Sequence, residues 1–391
     1  MKSYLKLYTI YALRIFLRTF YIFPVKRTRL LFCSFNGNSF NCNPKYIFIH
    51  LYEEYGAELD FVWCIDDSSK IPSTYHVKCV KYLSLKHVYY LMTSKIIISN
   101  QPIEPFLPKR GSQLFINTTH GPGAYKKGGV QSTNLSKSLR YCMMKMKYIR
   151  SKMIDNVISS CKTYTDIFST EIEYNISKDK FLPYGMPRND IFFNCNRDAI
   201  KKKVCETLGL DGDAFMIIYA PTYRGHYNYV EDVDLGLNVQ MLLDCVQDKF
   251  KKQAILLFRH HIAAKRMNVM GKNVIDVSEY QDMQELLVAS DMFITDYSSC
   301  LWDFSLSYKP GFLYVPDLKK YESETDFHTP IELWPFPYSL TMNDLCWQIT
   351  NYDRSKAEIK INNHLQLLGS YETGSATKKT VEFVIGNIKN S

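Results

Sequence analysis

Arg29-Leu-Leu-Phe-Cys-Ser-Phe35, then a segment of helical period at 45–55, then Leu59-Asp-Phe-Val-Trp-Cys-Ile65, is the stretch that decides the fold. The outer pieces are short, apolar and bounded by turn residues, and the middle piece spaces its apolar residues three and four apart. Strand, helix, strand is the sequence form of a crossover between parallel strands. The alternation continues with strand candidates at 95–99, 113–117 and 156–160. It resumes beyond Leu182-Pro-Tyr-Gly-Met-Pro187, where prolines and a glycine mark a linker, with candidates at 215–220, 253–258, 273–277, 292–295 and 311–315. From about residue 331 the chain reads as loops and closing helices. The expectation is an α/β protein with two Rossmann-like, doubly wound parallel-sheet domains facing a cleft. Residues 1–28 form a basic amphipathic segment, 29–185 the N-terminal domain and 186–391 the C-terminal domain. In such sheets ligands bind beyond the carboxyl ends of the strands.

The 391 residues suffice for two domains with their own cores, and 46% hydrophobic with 22% charged residues describes a folded chain rather than a disordered one. Eleven cysteines occur with no C-x-x-C pair and an odd total, which argues for reduced thiols and against a disulfide framework or a zinc site. The formal charge is +9, and its placement matters more than its size. Residues 1–51 contain no acid but carry Lys2, Lys6, Arg14, Arg18, Lys26, Arg27, Arg29 and Lys45, and residues 105–154 carry ten Lys or Arg with no acid. Two such zones imply a polyanionic partner: an anionic membrane, a phosphate-rich polymer or nucleic acid. No nucleic-acid motif is present and the basic zones lie outside most of the polar clusters below, so nucleic acid is not expected. Residues 3–23 are aromatic and apolar, but Lys6, Arg14 and Arg18 interrupt them, which disfavours a bilayer-spanning helix. Two readings stay open: a helix lying on an anionic leaflet, and a helix packed on the first domain.

Five polar clusters carry the chemistry, four of them just after a predicted strand. In Ile116-Asn-Thr-Thr-His120-Gly121-Pro-Gly-Ala-Tyr-Lys126-Lys127, a histidine enters a loop of small residues with two lysines following. Backbone amides there can approach an anion, and histidine suits removal of a hydroxyl proton near neutral pH. In Ala220-Pro221-Thr222-Tyr-Arg224, a hydroxyl and a guanidinium are placed to donate to phosphate oxygens, the alternative being a solvated arginine after a proline turn. In Phe258-Arg259-His260-His261, Arg259 and His261 share one strand face, a pairing that fits a diphosphate. No carboxylate or cysteine completes a metal set there. In Thr295-Asp-Tyr-Ser298-Ser299-Cys-Leu-Trp-Asp303, hydroxyls and unpaired amides open a helix, whether as an anion site or only as an N-cap. The fifth cluster, Gly185-Met-Pro-Arg188-Asn-Asp190, sits at the linker, with Arg188 directed into the cleft or capping a turn.

In this order the clusters resemble the CDP-glycerol glycerophosphotransferase family of teichoic acid synthesis. Members show a His-Gly loop ending in Lys-Lys, then Gly-x-Pro-Arg-Asn-Asp, Ala-Pro-Thr-x-Arg, Arg-x-His, and Thr-Asp-Tyr-Ser-Ser followed by Asp. Ser34-Phe-Asn-Gly and Cys42-Asn-Pro-Lys45 resemble the family's first loop, and the match spans roughly residues 29–330. The resemblance implies a GT-B-like arrangement with an acceptor domain followed by a CDP-donor domain, no metal and no cofactor. It also implies peripheral attachment at the cytoplasmic face of the cell membrane. His120 would be the general base, and His261 with Arg259 would serve the donor phosphates. Arg188, Pro221, Thr222, Arg224, Ser298, Ser299 and Asp303 would hold the rest of a CDP-polyol, with Gly121, Lys126 and Lys127 near phosphate or acceptor. The expected reaction moves glycerol phosphate from CDP-glycerol to a lipid-linked or glycan acceptor in teichoic-acid-like or capsular polymer synthesis, with release of CMP. The alternatives are a CDP-ribitol donor or a GT-B glycosyltransferase using another nucleotide sugar. Departures from the pattern, among them Phe258 before Arg259 and Trp302 before Asp303, bear on the acceptor. The chain's length resembles that of priming or short-addition members.

Overall fold

The computed structural model describes residues 2–389, apart from 124, 128–135, 171–172, 223, 227–228, 232–234 and 261–272. The chain divides into two compact units: residues 1–122, 129–190 and 370–391 form the first, and residues 123–128 and 191–369 the second.

The first unit holds a seven-stranded sheet, β1 (Lys26–Cys33), β2 (Asp60–Cys64), β3 (Lys78–Val80), β4 (Ser94–Ser99), β5 (Leu114–Asn117), β6 (Asn156–Ile158) and β7 (Phe181–Leu182), in the order 3-2-1-4-5-6-7. Every neighbouring pair is parallel. Its helices are α1 (Lys2–Leu17), α2 (Cys42–Tyr55), α3 (Leu85–Thr93), α4 (Lys137–Ser151) and α5 (Lys162–Phe168). The central strands β2, β4 and β5 and the second half of β1 are buried on both faces, as parallel strands under helices must be, and Phe32 stacks on Trp63 at 5.5 Å between β1 and β2.

The second unit repeats the plan. After α6 (Ile191–Asn194) and α7 (Arg197–Leu208) come β8 (Phe215–Tyr219), a two-stranded antiparallel ribbon of β9 (Arg224–His226) and β10 (Tyr229–Glu231), α8 (Val239–Phe250), β11 (Ala254–Phe258) and β12 (Val274–Asp276). Then follow α9 (Met283–Ala289), β13 (Met292–Thr295), α10 (Cys300–Ser305), β14 (Gly311–Tyr314), α11 (Leu318–Glu324), β15 (Tyr338–Ser339), α12 (Met342–Thr350) and α13 (Arg354–Leu368). The six-stranded sheet runs 12-11-8-13-14-15, parallel throughout. Counted within the unit this is 3-2-1-4-5-6, the nucleotide-binding order, and both sheets therefore have a switch point beside their first strand.

All ten expected strands are present, and the structure adds β3, β7, β9, β10 and β15, each two or three residues long. The boundary expected after residue 185 falls after Asp190. Residues 370–391, expected in the second domain, belong to the first unit, because α14 (Ala376–Lys389) buries Val381, Val384 and Ile385 in the core formed by Phe32, Ile47, Phe48 and Leu51. Leu7, Ile10 and Leu17 of α1 are buried, and Arg14 donates to the carbonyls of Pro105 (3.0 Å) and Leu107 (2.6 Å), while Leu5, Tyr8, Ile15 and Phe16 face outward. No described helix is long and apolar enough to cross a membrane.

Candidate functional site

In the first unit the loops beyond β1, β4 and β5 are tied together by amides. Phe35 N donates to Asn100 Oδ1 (2.8 Å). Asn43, at the start of α2, donates through Nδ2 to the carbonyls of Thr118 (2.9 Å) and Thr119 (3.2 Å) and accepts at Oδ1 from Arg188 N (3.1 Å). Phe35, Asn36, Cys42 and Thr119 have φ of 46°, 56°, 59° and 53°. Left-handed backbone costs a non-glycine residue about 1–2 kcal/mol, and such strain gathers where loops are over-determined for function.

His120 is the exposed member of this framework. Its Nδ1 lies 3.1 Å from the carbonyl oxygen of Asn100, and its ring meets Phe35 edge-on at 5.5 Å. A carbonyl only accepts, so Nδ1 carries the proton and Nε2 is the acceptor nitrogen. Arg188 is buried, with Nη1 3.1 Å from Cys42 Sγ. Its motif neighbours dock the returning chain: Asp190 accepts from Ala376 N (3.0 Å) and Thr377 N (2.7 Å), and Glu372 accepts from Met186 N (3.0 Å) and Asn189 Nδ2 (3.1 Å). Burial raises the Asp190 carboxyl above its usual range against those donors. Gly185 is required there: its φ is +83°, and a Cβ would stand 2.8 Å from Glu372 Oε2.

In the second unit charge replaces amides. Asp296, fully buried after β13, accepts from Thr222 N (2.8 Å) and Tyr297 N (2.5 Å) and pairs with Arg224 Nη1 (2.7 Å). Arg224 also pairs through Nε with Asp317 (2.7 Å), and its guanidinium lies over the rings of Tyr297 (4.9 Å) and Tyr321 (5.2 Å). Burial opposes the arginine's charge, but Asp296 and Asp317 outweigh it and raise its pKa. Ser298 and Ser299 follow, half-buried, at the start of α10, with Ser298 Oγ accepting from Cys300 N (3.3 Å). Asp303, further along that helix and fully buried, accepts from Gln284 Nε2 (2.9 Å).

Arg259 donates to the carbonyls of Val277 (3.1 Å) and Tyr280 (2.8 Å), and burial lowers its pKa. His261 lies outside the described residues. Thr222 Oγ1 and His260 Nε2 are buried and have no hydrogen-bond partner among the described residues. Lys126 belongs to this unit, bridged antiparallel to Phe327; burial lowers its pKa, and the charge of Asp296 opposes that shift. Lys127 pairs with Asp326 at 2.6 Å.

The structure thus gathers Lys126, Thr222 and Arg224 around Asp296, just ahead of Ser298 and Ser299, and places His120 with Gly121 and Arg188 in the other unit. Sequence reasoning missed Asn43, Asn100, Glu372 and Asp317 as framework residues. Asp317 follows β14 as the other clusters follow their strands, and that signal was open to it. Among the described residues no group of three His, Cys, Asp or Glu side chains could hold a metal ion.

Two sheets of nucleotide-binding order, one presenting an oriented imidazole and the other cationic and hydroxyl groups at a helix start, define a nucleotide-donor group transferase of GT-B type. Residues 15–386 match the family described as CDP-Glycerol:Poly(glycerophosphate) glycerophosphotransferase, and the chain belongs to that family of enzymes. It is 28% identical over 374 residues to the teichoic acid poly(glycerol phosphate) polymerase of Bacillus spizizenii, covering 93% of this chain and 94% of that one. To the polymerase of the same name from Bacillus subtilis it is 27% identical over 316 residues, 77% of this chain but only 40% of that one. With the teichoic acid glycerol-phosphate transferase of Staphylococcus aureus the identity is 28% over 307 residues, 75% of this chain and 76% of the relative. Among solved structures, the wall teichoic acid polymerase TagF superposes with a TM-score of 0.81 at 23% identity, covering 100% of this chain and 98% of that one, a likeness of fold.

Proposed function

We propose that this glycerophosphotransferase works by general-base attack of an acceptor hydroxyl on the glycerol-linked phosphorus of CDP-glycerol, in the assembly of a teichoic-acid-like cell-surface polymer. The acceptor O–H proton passes to His120 Nε2, the acceptor oxygen forms the new P–O bond, the bond to the CMP phosphate breaks, and CMP leaves with that electron pair. One observation carries the reading: the Asn100 carbonyl holds the His120 tautomer that leaves Nε2 able to take a proton.

Arg259 and His261 serve the donor diphosphate, and Thr222, Ser298, Ser299 and Asp303 hold the remaining donor, with Pro221 shaping the loop. The orphaned Thr222 Oγ1 and His260 Nε2 support an oxyanion ligand there. Arg188 and Gly121 serve the same reaction from the first unit. Arg224, engaged by two carboxylates, acts as a positioning residue that holds the Thr222 turn rather than as a phosphate ligand. A ribitol donor is the second reading, favoured by 23% identity over 93% of this chain to the teichoic acid ribitol-phosphate primase of Bacillus spizizenii. Length does not separate priming from polymerisation, since a relative of matching span is named a polymerase.

The outward face of α1, with Leu5 69%, Tyr8 71%, Ile15 67% and Phe16 66% exposed, together with Lys145 of α4 laid over Tyr141 and Lys152, just after α4, laid over Tyr148, suits a peripheral seat on an anionic membrane. A lipid-linked or glycan acceptor would meet the enzyme at that surface. Purified protein given CDP-glycerol, CDP-ribitol or a UDP-sugar, with and without sedimentable anionic vesicles, tests both parts. CMP release from CDP-glycerol and co-sedimentation are expected. Release of UDP alone overturns the reaction, and protein remaining in the supernatant overturns the membrane seat.

A further inference from the structure

Tyr125 and His364 meet inside the second unit in a contact that the proposed reaction does not use. His364, on α13, is buried between two partners: its Nδ1 is 2.6 Å from the carbonyl of Leu333 and its Nε2 is 2.7 Å from Tyr125 Oη. The carbonyl forces the proton onto Nδ1, so Nε2 accepts from the tyrosine hydroxyl and the imidazole is neutral. Burial pushes its pKa down to about 4, which keeps that arrangement across the physiological range. The two rings stack with planes 9° apart, and Trp334 packs on the tyrosine at 5.0 Å.

This buried anchor sits one residue before Lys126. His328 N donates to the Tyr125 carbonyl (2.8 Å), Lys126 bridges Phe327, and Lys127 N donates to the Asp326 carbonyl (3.0 Å). The segment is therefore a short strand laid along 326–328, and its register is set by where Tyr125 is pinned. In that register Lys126 stands opposite Phe327, whose ring packs on Tyr297 (5.8 Å) and Tyr321 (5.9 Å), the two rings beneath the Arg224 guanidinium, and its ammonium is within electrostatic range of Asp296. Arg224 is already engaged by Asp296 and Asp317, whereas among the described residues no carboxylate is paired with Lys126.

We propose that Tyr125 and His364 form a positioning pair that fixes Lys126 as a cation contacting the donor diphosphate. The pair never touches substrate; it sets the strand register that delivers the ammonium. This rests on the reading that the second unit binds the CDP moiety.

The test compares the full-length chain with Tyr125→Phe, Lys126→Met and the double variant, by saturation kinetics of CMP release from CDP-glycerol and by direct binding of CDP. Tyr125→Phe keeps the ring and removes only the hydroxyl. It is expected to raise both the KM for CDP-glycerol and the Kd for CDP about three- to tenfold, the scale of one hydrogen bond. Lys126→Met is expected to weaken CDP binding further, and the double variant to match Lys126→Met. A purely structural pair would lower the unfolding temperature of Tyr125→Phe while leaving Kd unchanged, which overturns the proposal. Independent, multiplying losses in the double variant also overturn it. If the unmodified chain binds CDP but releases no CMP, the reaction proposed above fails, and the CDP affinities still decide the positioning role. If it binds no CDP, both fail.

Discussion

The two units use the same strand order and end their first strands in opposite kinds of crevice. Beyond β1, β4 and β5 the loops are joined by the amides of Asn43 and Asn100 and by four left-handed residues, and the buried guanidinium of Arg188 meets the Cys42 thiol rather than a carboxylate. Beyond β8 and β13 they are held by Asp296, Arg224 and Asp317, a buried carboxylate–guanidinium–carboxylate line capped by tyrosine rings. The difference follows from the task proposed for each. A histidine base already has a proton affinity near neutral pH, and a scaffold of amides and carbonyls can orient His120 without a carboxylate bonded to its ring. A diphosphate site has to place cations in low dielectric, and an arginine already neutralised by carboxylates can fix loop geometry without competing for the ligand.

Removing the base gives the largest contrast. His120→Ala is expected to lower kcat by about 10²–10⁴ with the KM for CDP-glycerol little changed, measured by CMP release. A variant that loses donor affinity instead would move His120 into the donor site and erase the division of labour.

Next come the two frameworks. Asp296→Asn leaves a buried arginine with one carboxylate and should cost about 3–5 kcal/mol in urea unfolding. Asn43→Ala, which strips partners from Arg188 N and two carbonyls, should cost about 1–3 kcal/mol. The reverse order would mean that the amide-held crevice, and not the carboxylate-held one, dominates stability.

One stability effect is shared by the two units and is set by pH rather than by a substitution. His87 on α3 and His364 on α13 are both buried, and burial lowers each pKa to about 4 from an unfolded value of 6.5. As pH falls below about 6.5 the unfolded chain takes up protons that the folded chain refuses, so stability is full above that pH and is lost down to about 4. Each histidine contributes on the order of 2–3 kcal/mol to the loss. Urea midpoints measured from pH 7 to 4 should slope downward through this window, and a flat profile would contradict the buried neutral state of both rings.

Period and turn chemistry made ten strands legible, because a parallel strand buried on both faces is written as a continuous apolar run. The two-residue strands Phe181–Leu182 and Tyr338–Ser339 carry too few residues to show a period. The clusters were legible because polar residues directly after such a run stand at the carboxyl end of a strand, where an open α/β sheet binds its ligands. Roles within them were less so. Asp190 and Asn189 share a motif with Arg188 but bind the returning chain, and nothing local distinguishes a phosphate ligand from a helix cap. Arg224 looked like a phosphate donor because its partners, Asp296 and Asp317, come from 72 and 93 residues away. His364 is a lone histidine in Asn362-Asn-His-Leu-Gln366, and only the fold brings Tyr125 to it.

The return of α14 to the first unit bears on how the protein is made. Residues 370–391 leave the ribosome after the whole second unit, yet Val381, Val384 and Ile385 close the first core and Asp190 waits for the amides of Ala376 and Thr377. Domains generally fold in order of synthesis. Here the half carrying His120 is translated first and finished last, with its apolar face open while residues 191–369 are added. The nascent chain thus keeps the half carrying His120 incomplete until the half carrying Asp296 and Arg224 exists.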